Sequence, residues 1–341
     1  MTTIKDIAEM AGVSVGTVDR ALNNRGRISP EAKKRIVSIA VKLNYRKNKV
    51  AKSLANRKLN LKIAVVLHIH SNEFFSEVFR GIERARTEIA DFGISMEVYR
   101  CKEFNPRDQL HSIDRAIAEG ANAVVIVPIN HPDIIKRLHR LNEEHIPFVL
   151  LASVLEDVKC FSAVRCDYAR SGWMAGGLLR VISGGAGNAL AFFPSLSMLG
   201  HRQRMQGFRS YLEKHCPKIT LENIIELPND SFDSYRIVQE ELSSHPQVNH
   251  IVYNGVYTEA GIKAIENSGR QIQSIFFDLS PFTKQALIEG KISAAILQQP
   301  DQQGYRAIMV LFDYFTANVI PPELTIVESY ILLKENIEEL P

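Results

Sequence analysis

The chain has 341 residues, of which 45% are hydrophobic and 23% are charged, as is usual for a soluble protein of two or three domains. Its apolar runs fall short of the roughly 20 residues that a membrane span needs, and its first residues lack the pattern of a signal peptide. We therefore expect a cytoplasmic protein with no membrane partner. The four cysteines form no C-x-x-C pair, which argues against a disulfide framework or a zinc site and leads us to expect no metal and no cofactor.

Charge is distributed unevenly along the chain. Residues 1–60 hold 14 Lys and Arg against 4 Asp and Glu, whereas the remaining residues hold 27 against 34. A basic head on a mildly acidic body is typical of a phosphate-binding module joined to another domain. A basic run can also be a solvated face, so charge alone leaves both interpretations open.

Three short helices are predicted in the head. Apolar residues at helical spacing indicate a first helix over Ile4–Ala11 and a second over Val15–Leu22, separated by a turn at Gly12 and with Ser14 as the second helix's cap. Ser29 followed by Pro30 predicts the start of a third helix. Two helices joined by a tight turn and closed by a third indicate a helix-turn-helix domain.

The whole head segment TIKDIAEMAGVSVGTVDRALNNRGRISPEAKKRIVSIAVKLNYRKNKVAKSLAN resembles the head of the lac-repressor family of bacterial regulators. The alternative is a three-helix bundle that does not bind DNA. The resemblance implies that the second helix reads bases in the major groove of operator DNA through Val15, Gly16 and Arg20. It implies that phosphates are gripped by Ser14, Thr17, Asn24, Ser29 and Tyr45.

Two departures from the family pattern lie in this region. Asp19 stands where Ser is usual, and it can accept from a cytosine amine or pair with a basic neighbour, of which we favour the pairing. Lys47 replaces the usual proline before Asn48. In the family the segment at 47–60 becomes helical when two copies meet in the minor groove, and the residue matching Leu54 wedges between the central base pairs. Asn48 and Leu54 are both retained in this chain. A solvated basic linker is the alternative.

From residue 61 onward, strand-like apolar runs alternate with amphipathic helices. Runs such as KIAVVLHI, NAVVIVP and PFVLLAS form a first set, and ALAFFP, HIVYNG and SIFFDL belong to a second. This alternation predicts an all-α head followed by an α/β body of two Rossmann-like lobes with parallel sheets. The predicted domains are 1–46 for the head, 47–60 for the hinge and 61–341 for a two-lobed effector-binding and dimerisation domain.

The body resembles the periplasmic sugar-binding protein fold (type I) in several motifs. HSNEFFSEVFRGIERA is similar to the family's Asn-x-Phe-Phe loop, CDYARSGWMAGGLL to its Asp-Asn-x-x-x-Gly helix opening, and RQRMQGFRSYL to its Arg-x-x-Gly-Phe motif. Such folds bind ligands in the cleft at the strand ends. The resemblance implies an effector site made of Asn72, Phe74, Phe75, Arg204, Phe232, Asn254, Asp278 and Gln298.

Seven of these eight residues have a structural alternative. An arginine and a carboxylate in one cleft can bind vicinal hydroxyls, but Arg204 and Asp278 can also form an ion pair inside one lobe. Asn254 and Gln298 can instead cap strand ends, and the three phenylalanines can simply pack in the core instead of covering a sugar ring. We expect Asp167 to cap a helix.

Two further observations concern the ligand. Simple-sugar binders often carry Asp-Arg at the end of the fourth strand, whereas this chain has Ala152-Ser153, which leaves room for a larger or differently charged ligand. His68 and His70 alternate along a strand, so only one can face the cleft, and we do not expect a metal there.

Together these features predict a ligand-controlled, sugar-responsive repressor that binds operator DNA as a homodimer, because one short recognition helix reads too few base pairs for genomic specificity. No nucleophile elbow, H-E-x-x-H or P-loop motif is found in the sequence, so we do not expect an enzyme. The alternatives are a sugar-binding protein without a DNA role and a sugar-processing enzyme on the same fold.

Overall fold

In the computed structural model of the chain, the residues whose structure is described are 4–22, 28–43, 61–69, 73–102, 105–196 and 198–337. The head consists of three helices whose predicted positions are confirmed. They are α1 (Ile4–Ala11), α2 (Val15–Leu22) and α3 (Pro30–Lys42).

The head has its own small core. Ile7, Val18 and Ile36, one from each helix, are buried to 1% exposure or less. Ser14 caps α2 as predicted, because its Oγ accepts a hydrogen bond from the Thr17 amide at 3.2 Å. This core holds the outward face of α2 on a compact three-helix support.

The first lobe is built on a six-stranded sheet in the order β11-β5-β4-β3-β1-β2. Its strands are β1 (Leu61–Ile69), β2 (Ile94–Lys102), β3 (Ala123–Ile126), β4 (Phe148–Leu151), β5 (Ser162–Cys166) and β11 (Leu324–Val327). The connecting helices are α4 (Glu73–Ile89), α5 (Pro106–Ala118) and α6 (Pro132–Glu143). Every residue of β3 and β4 is buried, as expected for parallel strands covered on both faces.

The second lobe is built on a sheet in the order β12-β10-β9-β8-β6-β7. Its strands are β6 (Ala186–Phe193), β7 (Lys218–Glu226), β8 (His250–Tyr253), β9 (Gln273–Phe277), β10 (Ala294–Leu297) and β12 (Tyr330–Leu332). Its helices are α7 (Tyr168–Ile182), α8 (Leu199–His215), α9 (Ser231–Ser244), α10 (Thr258–Asn267) and α11 (Pro281–Ile288). The helices that complete the chain are α12 (Pro300–Ala317) and α13 (Lys334–Ile337).

The chain passes between the two sheets after β5, after β10 and after β11. Two of these crossings are joined directly, since Gln299 beyond β10 donates its side-chain amide to the Glu328 carbonyl beyond β11 at 2.6 Å. The three crossings place the residues that follow Cys166 and Leu297 where the lobes meet.

The predicted fold class is confirmed, with three additions. The sequence patterns did not reveal β5, β11 or β12, and β12 pairs with β10 in the antiparallel direction. These strands are short and lie at or near sheet edges, so their apolar patterns are weak. The limits 1–46, 47–60 and 61–341 remain predictions, and the hinge lies outside the described residues.

Candidate functional site

The outward face of α2 carries the predicted base-reading residues. Val15 is 45% exposed, and Gly16 and Arg20 are also exposed. The Arg20 guanidinium lies along its own helix, where Nε donates to the Gly16 carbonyl at 3.1 Å and Nη2 approaches Thr17 Oγ1 at 3.4 Å. A side chain at Gly16 would meet only Ser14 Oγ at 3.9 Å. Nothing in the described head therefore requires glycine at this position.

Only some of the predicted phosphate-binding residues lie among the described residues. Ser14 and Thr17 lie together at the start of α2, with their hydroxyl oxygens 2.9 Å apart, and Ser29 Oγ accepts from the Ala32 amide at 3.2 Å at the start of α3. Both helix starts offer backbone N–H groups of the kind that hold phosphate. The other predicted DNA-binding residues, Asn24, Tyr45, Asn48 and Leu54, lie outside the described residues.

Three of the predicted effector residues follow neighbouring strands of the second sheet. Asn254 comes directly after β8, Asp278 after β9 and Gln298 after β10, and these three strands are adjacent and parallel. Since parallel strands end at the same edge, their first loop residues converge there.

Arg204, from α8, joins these residues. Its Nε donates to Ser171 Oγ at 3.0 Å, its Nη1 to Asn254 Oδ1 at 2.7 Å, and its Nη2 to Gln298 Oε1. The side chain is 2% exposed. We call Arg204, Asn254, Asp278 and Gln298 the effector cluster.

Two aromatic rings lie close to the Arg204 guanidinium. Its central carbon lies 4.4 Å from the centre of the Phe277 ring and 5.2 Å from that of Tyr168. A weakly hydrated guanidinium is well suited to such stacking, which lets a charged group be buried. Tyr168, at the start of α7, also donates its hydroxyl to the Ala152 carbonyl at the end of β4. The tyrosine thus connects Arg204 with the first lobe.

Close packing of α7 against α8 sets the position of Arg204. A Cβ added at Gly172 would lie 1.9 Å from the Arg204 carbonyl oxygen, and one added at Gly207 would lie 2.0 Å from the Ala169 carbonyl oxygen. Each helix therefore contributes a glycine at the point of closest approach. The Arg-x-x-Gly-Phe motif has a packing role as well, because Phe208 is fully buried beside Gly207.

Gln298 lies between the two charged members of the cluster. Its Nε2 is 2.8 Å from each carboxylate oxygen of Asp278, while its Oε1 accepts from Arg204 and from the Cys166 thiol at 3.3 Å. Arg204 and Asp278 are therefore joined through the Gln298 amide, and not by the direct ion pair that the sequence analysis gave as the alternative. Burial raises the pKa of Asp278, and the Arg204 charge and the Gln298 hydrogen bonds oppose that rise.

The backbone is unusual at two strand ends of the same region. Asp278 has φ of 66° and Ala152 has φ of 56°, values that non-glycine residues rarely adopt. Such conformations concentrate at binding sites, where the surrounding contacts hold them. Ala152 marks the position where simple-sugar binders often carry an acidic residue. Here the Ala152 carbonyl accepts from the Tyr168 hydroxyl, and its amide donates to the Val164 carbonyl at 2.9 Å.

The predicted first-lobe residues lie at the start of α4. The Phe74 and Phe75 rings are 5.2 Å apart in an edge-to-face arrangement, and Phe75 meets His68 edge-on at 6.5 Å. The His68 ring contacts Cys101, whose Sγ lies 3.4 Å from His68 Nδ1, and the side-chain amide of Gln109. Asn72 and His70 lie outside the described residues.

Phe232 is placed differently from the other predicted residues. It is 74% exposed near the start of α9 and lines a surface depression with Tyr235, Arg236 and Gln239. It is not one of the two rings stacked on Arg204. Its proposed contact with effector stays a prediction.

Several residues in contact with the effector cluster were not predicted. Ser171 and Cys166 bind Arg204 or Gln298, and Tyr168 and Phe277 stack on the guanidinium. The motif around Asp167 could have pointed to Tyr168, since Asp167 does cap α7 by accepting from the Arg170 amide at 3.0 Å. The prediction for Asp167 is confirmed.

His201, one turn before Arg204 on α8, is a further unpredicted neighbour. Its Nδ1 lies 3.1 Å from the Ser195 carbonyl oxygen, and since a carbonyl only accepts, Nδ1 carries the proton. Burial and the charge of Arg204 lower the pKa of His201 to about 4. The imidazole is therefore neutral at physiological pH.

Two known protein families match separate parts of the chain. Residues 63–318 match the periplasmic binding protein domain, and residues 3–48 match the bacterial regulatory proteins of the lacI family. The chain combines a lacI-family head with a periplasmic binding protein domain. Both resemblances seen in the sequence are confirmed.

Individual relatives agree with this assignment. The chain is 27% identical over 214 residues to the HTH-type transcriptional regulator DegA of Bacillus subtilis, covering 62% of this chain and 61% of DegA. It is 33% identical over 166 residues to the ribose operon repressor of the same organism, covering 48% of this chain and 47% of that repressor. The aligned regions thus span less than two thirds of either relative.

Solved structures share the fold of the body. A putative LacI transcriptional regulator from Bacteroides fragilis aligns with a TM-score of 0.74 at 23% identity, covering 83% of this chain and all of that one. A solute-binding protein from Actinobacillus succinogenes with bound D-allose aligns with a TM-score of 0.75 at 19% identity, covering 82% of this chain and 100% of that one. At these identities the likeness concerns the fold.

Within the described part of the chain, no helix combines the length and the apolar character that crossing a bilayer requires. Nor do the described His, Cys, Asp and Glu side chains form a group of three or more that could ligate a metal.

Proposed function

We propose that this chain is a transcriptional regulator that binds operator DNA through its head and responds to a small sugar-like effector bound by its body. The observation that carries the proposal is the presence, in one chain, of an exposed lacI-type α2 and of the buried effector cluster around Arg204. Relatives named as regulators and as a ribose operon repressor support it.

On the DNA side, α2 enters the major groove with Val15, Gly16 and Arg20 toward the bases. The absence of a side chain at Gly16, where one would fit within the head, is explained if the helix backbone approaches a base pair closely. Two copies act as a homodimer on a palindromic operator, with Asn48 and Leu54 contacting the minor groove between the half-sites.

On the effector side, hydroxyl groups of the ligand bind the polar groups at the strand ends. Phe74, Phe75 and Phe232 supply apolar faces for the ring, and Asn72 contributes an amide from the first loop. The protein binds this ligand without turning it over, and it acts in the cytoplasm.

Coupling between the two functions runs through the lobe crossings. Arg204 bonds to Gln298, directly beyond β10, and approaches the Cys166 Sγ, at the end of β5, at 3.9 Å. Both positions adjoin crossings between the sheets, so filling the cluster changes the angle between the lobes. A coupling free energy of about 1–3 kcal/mol would change operator affinity roughly 5- to 150-fold.

Selection of duplexes from a random pool, followed by sequencing, tests the regulator proposal. The purified full chain should enrich a palindrome of two half-sites at moderate salt. Enrichment of no sequence, at low salt and with or without cell metabolites, would contradict the proposal and favour a solute-binding protein without a DNA role.

A further inference from the structure

Arg165, near the end of β5, is a cation without a counter-charge in the described part of the chain. Its Nη1 donates to the carbonyl of the next residue, Cys166, at 2.8 Å. Its Nε is buried without a hydrogen-bond partner, and the residue as a whole is only partly exposed. Among the described residues no carboxylate forms an ion pair with it. A partly buried guanidinium with unused donors is costly unless an anion completes its hydrogen bonds.

The neighbouring strands offer Arg165 no acidic side chain. On one side, β11 pairs Ile326 with Arg165. On the other side, the register of β4 and β5 places Ala152 beside Arg165. Neighbouring strands lie about 4.8 Å apart, so a carboxylate at either position could reach the guanidinium. Both positions hold apolar side chains instead.

Tyr168 connects Arg165 with the effector cluster. The central carbon of the Arg165 guanidinium lies 5.6 Å from the centre of the Tyr168 ring, and that of Arg204 lies 5.2 Å from the same ring. Burial raises the pKa of the Tyr168 hydroxyl, and the charges of Arg204 and Arg165 oppose that rise. Cys166 also reaches the cluster, because its Sγ lies 3.3 Å from Gln298 Oε1. Arg165 therefore lies beside the proposed effector site.

Arg204 has little capacity left for an anion. Each nitrogen of its guanidinium already has a side-chain acceptor, and its charge is offset by Asp278, to which it is joined through the Gln298 amide. A carboxylate or phosphate is best bound by two N–H groups of one arginine. An anion that enters this site is therefore held by Arg165.

Asn254 provides an independent indication of a bound molecule. Its Oδ1 faces Arg204 Nη1, a donor, so the orientation of the amide is fixed and Nδ2 is the remaining donor. Nδ2 is buried, the residue is 5% exposed, and the atom has no hydrogen-bond partner. Buried polar groups almost always have partners, so a ligand with an acceptor oxygen is expected beside it.

We propose that the effector is an anionic sugar derivative, a sugar acid or a sugar phosphate, whose acidic group binds the Arg165 guanidinium while a hydroxyl oxygen accepts from Asn254 Nδ2. This assignment rests on the proposed function and specifies the chemical class of its ligand. A carboxylate and a phosphate both present the negatively charged oxygens that a guanidinium binds in pairs. Arginine stays protonated at every physiological pH, so the site keeps its positive charge.

Matched sugars test the proposal on the full-length protein. Calorimetric titration would compare glucose, glucuronate, glucose 6-phosphate and glucosamine, then the corresponding galactose and mannose compounds. We expect an anionic member to bind best, by about tenfold or more over its neutral counterpart, because charge-assisted hydrogen bonds form. The uronates and the phosphates of each series show which acidic group fits. A neutral or amine sugar that binds as tightly as the anions of its series, or binding by none of the anionic compounds, would overturn the proposal.

Removal of the cation connects the preference to Arg165. Arg165→Gln retains an amide donor but loses the charge, and it should reduce the preference for the anionic over the neutral sugar to about threefold or less. Arg170→Gln removes the same charge from an exposed position on α7 and is the matched control, which should keep the preference. An undiminished preference in Arg165→Gln would also overturn the proposal.

Addition of an acid beside Arg165 is a second test that leaves the arginine in place. Ala152 has φ of 56°, a conformation that aspartate tolerates better than most residues. In Ala152→Asp the new carboxylate should pair with Arg165 and lower the affinity for the anionic sugar by about tenfold or more. Ser210→Asp, exposed on α8, is the control for the added charge. Full affinity in Ala152→Asp would contradict the assignment, and if one of the two variants does not fold, the other decides.

Operator binding, measured separately by fluorescence anisotropy, distinguishes the two proposals. Binding of an anionic sugar without any effect on DNA binding supports the ligand assignment and contradicts the regulator proposal. Operator binding by a protein that ignores every anionic sugar leaves the regulator proposal standing and rejects the ligand assignment.

Discussion

At the scale of single residues, Gln298 determines how the charges of the effector cluster are used. An arginine and an aspartate in the same buried region would normally neutralise each other. The Gln298 amide accepts from Arg204 on one side and donates to Asp278 on the other. Arg204 is thereby held as a structural group, and Asp278 keeps lone pairs for a ligand.

The Arg20 side chain gives the sharpest test of base reading. Arg20→Ala should reduce discrimination between operator and random duplex by about 1–3 kcal/mol, because a bidentate contact to guanine is lost, while weak salt-sensitive binding persists. Fluorescence anisotropy with both duplexes measures this difference. Arg35→Ala, exposed on α3, carries the same charge change and should leave discrimination intact. Equal weakening on both duplexes by Arg20→Ala would exclude a base-reading role.

His201 predicts a particular dependence of stability on pH. Its folded pKa of about 4 lies below the ordinary 6.5, so between these values the unfolded chain binds the extra proton. The free energy of unfolding should therefore fall as the pH drops from 6.5 toward 4, by up to about 3 kcal/mol from this group. Urea titrations of the native chain and of His201→Gln at several pH values isolate the contribution of His201 to the free energy of unfolding. If the free energies of unfolding of the two proteins change in parallel with pH, the pKa of His201 is not lowered in the folded state.

The sequence indicated the strand-end residues at this scale but not their partners. Asn254, Asp278 and Gln298 each follow an apolar strand, and the first residue after a parallel strand faces the ligand edge whatever the rest of the fold does. Ser171 and Tyr168 meet Arg204 because α7 packs closely against α8, and Cys166 meets Gln298 from the end of β5, a strand of the other sheet. No local pattern records these contacts.

At the scale of elements, the contact between α7 and α8 holds Arg204 in position. The two helices meet where Gly172 faces the Arg204 backbone, and the added volume of even one methyl group has no space there. Rigid backbone on both sides cannot move aside without displacing the whole helix. The glycine is thus a requirement of packing.

Gly172→Ala should consequently destabilise the protein by about 1–3 kcal/mol, because the new Cβ would lie 1.9 Å from the Arg204 carbonyl oxygen. Gly177→Ala, on the same helix, is the matched control, since its Cβ would first meet Tyr211 at 3.6 Å. That change should be neutral or stabilising by about 0.5–1 kcal/mol, given the higher helix propensity of alanine. Chemical denaturation measures both. Similar free energies of unfolding for the two variants would show that α7 and α8 can move apart at little cost in free energy.

At the scale of the whole molecule, two copies are expected to read one operator together. A dimer fixes the spacing of its two recognition helices, so the half-sites must lie on one side of the duplex. Inserting about five base pairs, or half a helical turn, between the half-sites should lower affinity by about tenfold or more. The same insertion outside the palindrome is the control. Undiminished binding to the altered operator would indicate that the copies bind independently.

The amino-acid sequence alone determined the class of each part of this protein. Helical periodicity, caps at Ser14 and Ser29, and the alternation of strands and helices are local properties, so the three-helix head and the two α/β lobes could be recognised without coordinates. The same holds for the basic charge of the head.

Only the tertiary structure decided which side chains share a site and in what role. It placed Gln298 between Arg204 and Asp278, stacked Tyr168 on the guanidinium and left Asn254 Nδ2 without a partner. These contacts join residues that are far apart in sequence, and their geometry depends on how helices and strands pack. A hydrogen bond needs positions within a few tenths of an ångström, and packing alone sets positions that finely.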